Sequence, residues 1–128
     1  MCAPRVVIID DQPSFRRAAR ELLDLRGYTV VGEADCGAAA LQLATCLAPD
    51  GVLLDVRLGE ESGFDVAREL TRVRPAIAVL LVSADEELEG LPCIGACGAR
   101  GFVAKRRLVE ADLGALWDAR HCACAVAG

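Results

Sequence analysis

The sequence predicts a doubly wound α/β fold, a five-stranded parallel sheet built from five βα units, (βα)5. Three observations predict it. Short apolar runs recur along the 128 residues, as at Val6-Val7-Ile8-Ile9, Val52-Leu53-Leu54, Val79-Leu80-Leu81-Val82 and Phe102-Val103-Ala104. Runs of this kind read as buried parallel strands. They alternate with segments of helical periodicity, which implies crossover connections and helices on both faces of the sheet. Finally, each run ends on polar residues: Asp10 and Asp11, Asp55, Ser83 and Lys105. In an open α/β sheet the carboxyl ends of the strands line one crevice, where ligands bind.

The elements follow in order. Arg5–Ile9 is the first strand. A helix from about Pro13 to Arg26 follows, with Phe15, Ala18, Ala19, Leu22 and Leu23 as its buried stripe. Pro13 suits a first helical turn and Gly27 a C-terminal stop. Thr29–Glu33 is the second strand, and the second helix spans Gly37–Leu47 before Pro49. Gly51–Asp55 is the third strand, followed by a polar loop, Val56–Glu61. Ser62 caps the third helix, with Asp65 three residues on in a capping-box arrangement. Its core face is Phe64, Ala67, Leu70 and Val73. Ala78–Val82 is the fourth strand. The acidic stretch Asp85–Leu91 reads as a long loop, and Pro92 opens a short fourth helix to about Cys97. Gly101–Ala104 is the fifth strand. The fifth helix covers about Glu110–Ala119 and buries Leu113, Leu116 and Trp117. Residues 1–120 form one domain, and His121–Gly128 is a tail without clear structure.

Composition narrows the function. A hydrophobic share of 54% fills a core and excludes a disordered chain. No apolar stretch approaches the ~18 residues that span a bilayer, and the N-terminus lacks a signal-peptide pattern. A soluble, cytoplasmic protein is expected. The net charge of −5, without a basic stripe, argues against direct nucleic-acid binding. Seven cysteines at irregular spacing do not form a disulfide framework, and neither Cys93/Cys97 nor Cys122/Cys124 has zinc-finger spacing. Most read as small apolar residues.

Three carboxylates, a hydroxyl and an ammonium meeting in one crevice suit a divalent metal and a phosphoryl group. Attack of a carboxylate on a phosphoryl group brings like charges together. Mg²⁺ lowers that cost and prefers carboxylates and waters as ligands. Without a metal the three carboxylates repel one another and raise at least one pKa. Lysine places a fixed positive charge where negative charge builds up.

Asp10-Asp11, Asp55, Ser83 and Lys105, in this order at four strand ends, make the chain resemble the receiver domain of two-component response regulators. The resemblance covers roughly Arg5–Arg120. The stretch Gly98–Lys105 is most similar to receivers that usually precede a helix-turn-helix output domain. The resemblance implies a flavodoxin-like receiver fold and a phosphoacceptor switch. Asp55 is then the phosphoacceptor. Asp11 binds Mg²⁺ directly, Asp10 through water, and Asp55 and the backbone carbonyl of Arg57 complete the protein ligands. Ser83, Ala84 and Lys105 receive the phosphoryl group, Ala84 leaving it open to a donor or to water. Ser83 and Phe102 form the switch, which reshapes the face built from the fourth helix, fifth strand and fifth helix. The implied partners are a sensor histidine kinase or phosphotransfer protein, and a downstream protein or an output domain not contained in these residues. Homodimerisation through the same face is a further expectation.

Two departures stand out. Arg106 occupies the place where many receivers have proline, so the Lys105–Arg106 bond is expected to be trans. Arg57 and Asp85, each two residues beyond a site residue, are candidates for a charged gate against water attack during dephosphorylation. Two other readings remain. A receiver-like interaction module working without phosphorylation would use the same fold. A phosphatase with an aspartyl nucleophile usually needs a second acid two residues on, where Arg57 stands. The expectation is therefore a phosphoacceptor with at most slow self-dephosphorylation, not a conventional enzyme.

Overall fold

The computed structural model describes residues 3–88 and 90–117 of the chain. Five parallel strands carry the architecture: β1 (Arg5–Ile9), β2 (Thr29–Ala34), β3 (Gly51–Asp55), β6 (Ala78–Ser83) and β7 (Gly101–Ala104). Their spatial order is β2-β1-β3-β6-β7. Between them run helices α1 (Pro13–Leu25), α2 (Gly37–Leu47), α3 (Gly63–Val73) and α4 (Pro92–Ala96). Residues 113–117 are helical as well.

The apolar runs form strands because both of their faces are covered. β3 and β6 are buried at every position, and β1 at all but Arg5. Alternate residues then serve two separate cores. Val7, Ile9, Val52, Leu54, Val79 and Leu81 point to one side, against Ala40 and Ala44 of α2 and Val66, Ala67 and Leu70 of α3. Val6, Ile8, Leu53, Leu80 and Val82 point to the other, against Ala19 and Leu23 of α1 and Leu113 and Trp117. The edge strand β2 keeps exposed Thr29 and Glu33, as an edge permits.

After β1 the chain pairs β2 on one side and then returns to place β3 on the other. The crevice between the carboxyl ends of β1 and β3 is therefore the topological switch point, the preferred ligand position in such a sheet. Asp10 and Asp11 leave β1 there, and Asp55 ends β3.

Several local expectations are corrected. The polar segment Val56–Glu61 is not an open loop: β4 (Arg57–Leu58) and β5 (Glu61–Ser62) pair antiparallel as a small hairpin. Gly59 turns it at a positive φ of 61°, a conformation that glycine adopts without a Cβ penalty. Ser62 caps α3 by accepting from the Phe64 amide at 3.2 Å, while Asp65 pairs with Arg68 rather than completing a capping box. Ala18 faces solvent, leaving Ala19 and Leu23 as the buried part of the α1 stripe. Val73 is likewise exposed, and Val66 takes the core position on α3. The acidic stretch after β6 contains a 3-10 turn, Glu86–Leu88. Lys105–Glu110 is a 3-10 helix, so Glu110 does not open the last helix. Residues 118 and 119 of the expected fifth helix, Cys2 and the expected tail lie outside the described residues.

Other expectations hold. All described peptide bonds, Lys105–Arg106 included, are trans. Trp117 is a core residue; of the four described cysteines Cys97 alone is buried, Cys36 and Cys93 being half-buried and Cys46 exposed. Cys36, Cys46, Cys93 and Cys97 are free thiols, and burial pushes the Cys97 thiol up from its ordinary value. No helix among the described residues is long and apolar enough to cross a membrane.

Candidate functional site

The carboxyl ends of β1, β3, β6 and β7 bring the five predicted polar groups to one place. Carboxylate oxygens of Asp10, Asp11 and Asp55 all lie within 4.8 Å of one another. Asp10 is fully buried, Asp55 nearly so, and Asp11 exposed. Gln12, Asp55, Arg57, Ser83, Ala84, Asp85 and Lys105 line a cleft of about 340 Å³ beside them.

Asp10 and Asp55 are each held by their own turn, and Asp11 by a distant one. Asp10 Oδ1 accepts from the Gln12 amide at 2.8 Å, and Asp55 Oδ1 from the Arg57 amide at 3.2 Å. These two-residue bonds are the local turns that aspartate favours at strand ends. Asp11 Oδ2 accepts from the Gly59 amide at 3.0 Å, so the hairpin tip reaches across to Asp11. At the other end of the hairpin, Glu61 Oε1 accepts from the Gly37 amide at 2.9 Å and closes the start of α2.

Lys105 is the cation of the site. Its Nζ lies 2.8 Å from Asp10 Oδ2 and 3.2 Å from Asp55 Oδ2. Gln12 Oε1 is 3.4 Å away, and the Phe15 ring lies beneath at 4.3 Å from its centroid. Asp10 Oδ2 nevertheless receives no directed hydrogen bond, although it is fully enclosed. An enclosed carboxylate oxygen with an ion pair but no aligned donor, beside two more carboxylates, fits a hard divalent cation. The donor set is oxygen only, as Mg²⁺ requires.

Burial raises the pKa of Asp55 above the ordinary carboxylate value. The Arg57 amide opposes that rise, the Asp10 charge adds to it, and Lys105 opposes it. Mutual repulsion, expected from the sequence, is thus present but second to desolvation as a cause of the upward shift. A carboxyl with a raised native pKa contributes stability below its unfolded pKa, and loses it as pH rises through the native value. Asp55→Asn is therefore expected to raise the melting temperature of the metal-free protein at pH 7. The gain should shrink as pH falls toward 4. Melting curves of both proteins in EDTA across pH 4–8 check this; a pH-independent difference would sink the desolvation argument.

Ser83 is buried at the end of β6, and its Oγ accepts from the Asp85 amide at 3.0 Å. The hydroxyl proton stays available to an acceptor in the cleft. Ala84 is exposed at the cleft wall. Phe102 on β7 is half-buried and packs on the core that faces α2 and α3. Arg57 and Asp85 both line the cleft. The ion pairs of the described residues do not join them, and Asp85 Oδ1 accepts instead from the Glu87 amide at 3.0 Å.

The sequence offered no signal for three supporting contacts. Arg16 Nη1 donates to the Asp10 carbonyl at 2.6 Å while its Nε donates to Glu33 at 3.0 Å. Burial pushes Glu33 up, but the Arg20 and Arg16 guanidiniums outweigh it and hold its carboxyl below the ordinary value. The Gly59 and Glu61 contacts of the hairpin are the second. Glu86, paired with Arg106 and Arg107, is the third.

A family model for the response regulator receiver domain matches residues 6–113. The chain belongs to this family. This receiver domain is 38% identical over 102 residues to the response regulator GacA of Pseudomonas aeruginosa, covering 79% of the chain and 48% of that protein. It is 32% identical over 112 residues to the chemotaxis protein CheY of Thermotoga maritima, covering 84% of the chain and 92% of that protein. The solved signal receiver domain of NarL from Mycobacterium tuberculosis superposes with a TM-score of 0.75 at 36% identity, covering 91% of this chain and 98% of that one. The chain spans about half the length of the GacA-type regulators it matches.

Proposed function

We propose that this receiver domain is a phosphoacceptor switch in which Asp55 takes a phosphoryl group from a phosphohistidine of a sensor kinase or phosphotransfer protein. The observation that carries the reading is the meeting of Asp55 with Asp10, Asp11 and Lys105 at the switch point of the sheet. Asp10, Asp11 and Asp55, with the Arg57 carbonyl, would hold Mg²⁺. When bound, the metal neutralises the carboxylates and the incoming phosphoryl oxygens.

The chain's own groups have separate tasks. An Asp55 oxygen forms the new P–O bond as the P–N bond to the donor imidazole breaks. Lys105, already 3.2 Å from Asp55, offers a fixed cation to the phosphoryl oxygens. Ser83 donates its hydroxyl proton to the same group, a contact that exists only after phosphorylation. A contact made in one state alone shifts a conformational equilibrium, and ~2–3 kcal/mol shifts it roughly 30- to 150-fold. Ser83 moving toward the cleft frees space beside β6, into which Phe102 turns from β7. The face around α4, β7 and the last helix then changes, and a downstream protein or an output domain reads it. The site serves signalling in the cytoplasm. The chain acts as an acceptor rather than a turnover enzyme, with water attack past Arg57 and Asp85 as its slow reset. Residues 1–120 form the switch and 121–128 a tail.

Intact mass after incubation with Mg²⁺ and acetyl phosphate tests this. One added phosphoryl group is expected on the wild type, and none on Asp55→Asn or in EDTA. A wild type that gains no mass and does not bind beryllofluoride overturns the reading.

A further inference from the structure

Two loops carry the groups that would grip a phosphoryl oxygen. The loop after β6 carries Ser83, and the loop after β7 begins at Lys105. The strand pairing that joins them ends at Ser83 and Ala104. Glu86 rejoins them. Its Oε2 lies 2.5 Å from Arg106 Nη2 and its Oε1 3.4 Å from Arg107 Nε. One carboxylate thus takes a guanidinium on each oxygen.

The connection continues inward on both sides. The Asp85 amide donates to Ser83 Oγ, and Asp85 Oδ1 caps the turn that holds Glu86. Across the gap, Arg106 and Arg107 follow Lys105 directly in the same 3-10 helix. An unbroken path therefore runs from the Ser83 hydroxyl through Asp85 and Glu86 to Arg106 and Lys105. It spans the cleft from one phosphoryl-gripping group to the other.

We propose that Glu86, Arg106 and Arg107 form an ionic clasp that fixes the two loops to each other, making Glu86 and Arg106 positioning residues for Ser83 and Lys105. The consequence for phosphoryl uptake rests on the acceptor reading of Asp55; the coupling of the loops does not. The clasp is only partly shielded from water, with Glu86 34% and Arg106 71% exposed. Exposed ion pairs have modest strength and are screened by salt. The expected effects are therefore two- to five-fold, and they fade at high ionic strength.

The test is a charge-swap cycle of Glu86→Arg, Arg106→Glu and the double variant, read in two ways. Amide hydrogen exchange, with no phosphoryl donor present, is expected to quicken two- to five-fold in both residues 84–88 and 104–108 for each single variant. The double variant should restore both segments. Uptake from acetyl phosphate, followed by mass at 50 mM and 500 mM NaCl, should slow by the same factor in the singles at low salt and recover in the double. Restoration is the readout that a merely local perturbation would not give. Exchange that quickens only around the substituted residue, or a double variant no better than the two singles combined, overturns the clasp. A wild type that takes up no phosphoryl group while the exchange cycle closes overturns the acceptor reading and leaves the loop coupling established.

Discussion

Lys105→Met is expected to destabilise the metal-free protein by about 3 kcal/mol at pH 7, the usual scale for removing one partner of a buried ion pair. Lys105 Nζ is the group that stands between Asp10, fully buried, and Asp55, nearly so. Methionine keeps a similar unbranched length over the Phe15 ring, so the lost quantity is the charge rather than the packing. Asp10 and Asp55 then face each other without a cation. Asp55, already pushed up by burial and by Asp10, loses one of the two groups that oppose the rise. Its native pKa should climb further, and the deficit should shrink as pH falls and the carboxyl takes up a proton. Added Mg²⁺ should restore more stability to the variant than to the wild type, because the site without Lys105 is more negative and binds a cation more tightly, and tighter binding to the native state stabilises it more. Urea unfolding at pH 5 and pH 7, with EDTA and with Mg²⁺, checks all three statements. Equal stability of the two proteins at pH 7 in EDTA would mean that Lys105 is not the counter-charge of this site.

The fold was legible wherever a residue's fate is decided by its own run of neighbours. β3, α2 and β7 have the bounds read from sequence, because both faces of the sheet are covered and turn residues bracket the runs. The site was legible for a related reason. Strand order alone sends Asp10, Asp11, Asp55, Ser83 and Lys105 to one edge of a parallel sheet, whatever their distance along the chain. What stayed hidden depends on partners far away in sequence. The hairpin of β4 and β5 has only two residues per strand, too short to announce itself, and its ends bond Asp11 and Gly37. Arg106 reads as an exposed cation until the fold brings Glu86 to it. Ala18 and Ala19 are indistinguishable by composition. Only the direction from which the sheet approaches α1 decides that Ala19 is covered and Ala18 is not.

Gly63→Ala is expected to cost about 3 kcal/mol or more, at the upper end of overpacking penalties, and to impair phosphoryl acceptance as well. The reason is proximity rather than torsion. A Cβ at Gly63 would stand 2.2 Å from the Asp55 carbonyl oxygen and 2.6 Å from the Val56 Cα. Both obstacles are backbone, which cannot swing aside as a side chain can. The first turn of α3 therefore rests directly on the end of the strand that carries Asp55. Relief requires α3 to withdraw or Asp55 to move, and either breaks the hydrogen bond from the Gly63 amide to the Val56 carbonyl. Gly95, in α4, is the control. Nothing lies within 4 Å of a Cβ there, and alanine in place of a helical glycine should stabilise by about 0.5–1 kcal/mol. Urea midpoints of the two variants, with uptake from acetyl phosphate measured on each, separate the cases. Glycine at 63 is required for the site only if uptake by Gly63→Ala falls under conditions where the variant is still fully folded. Normal uptake there would show that Asp55 keeps its place while α3 alone gives way.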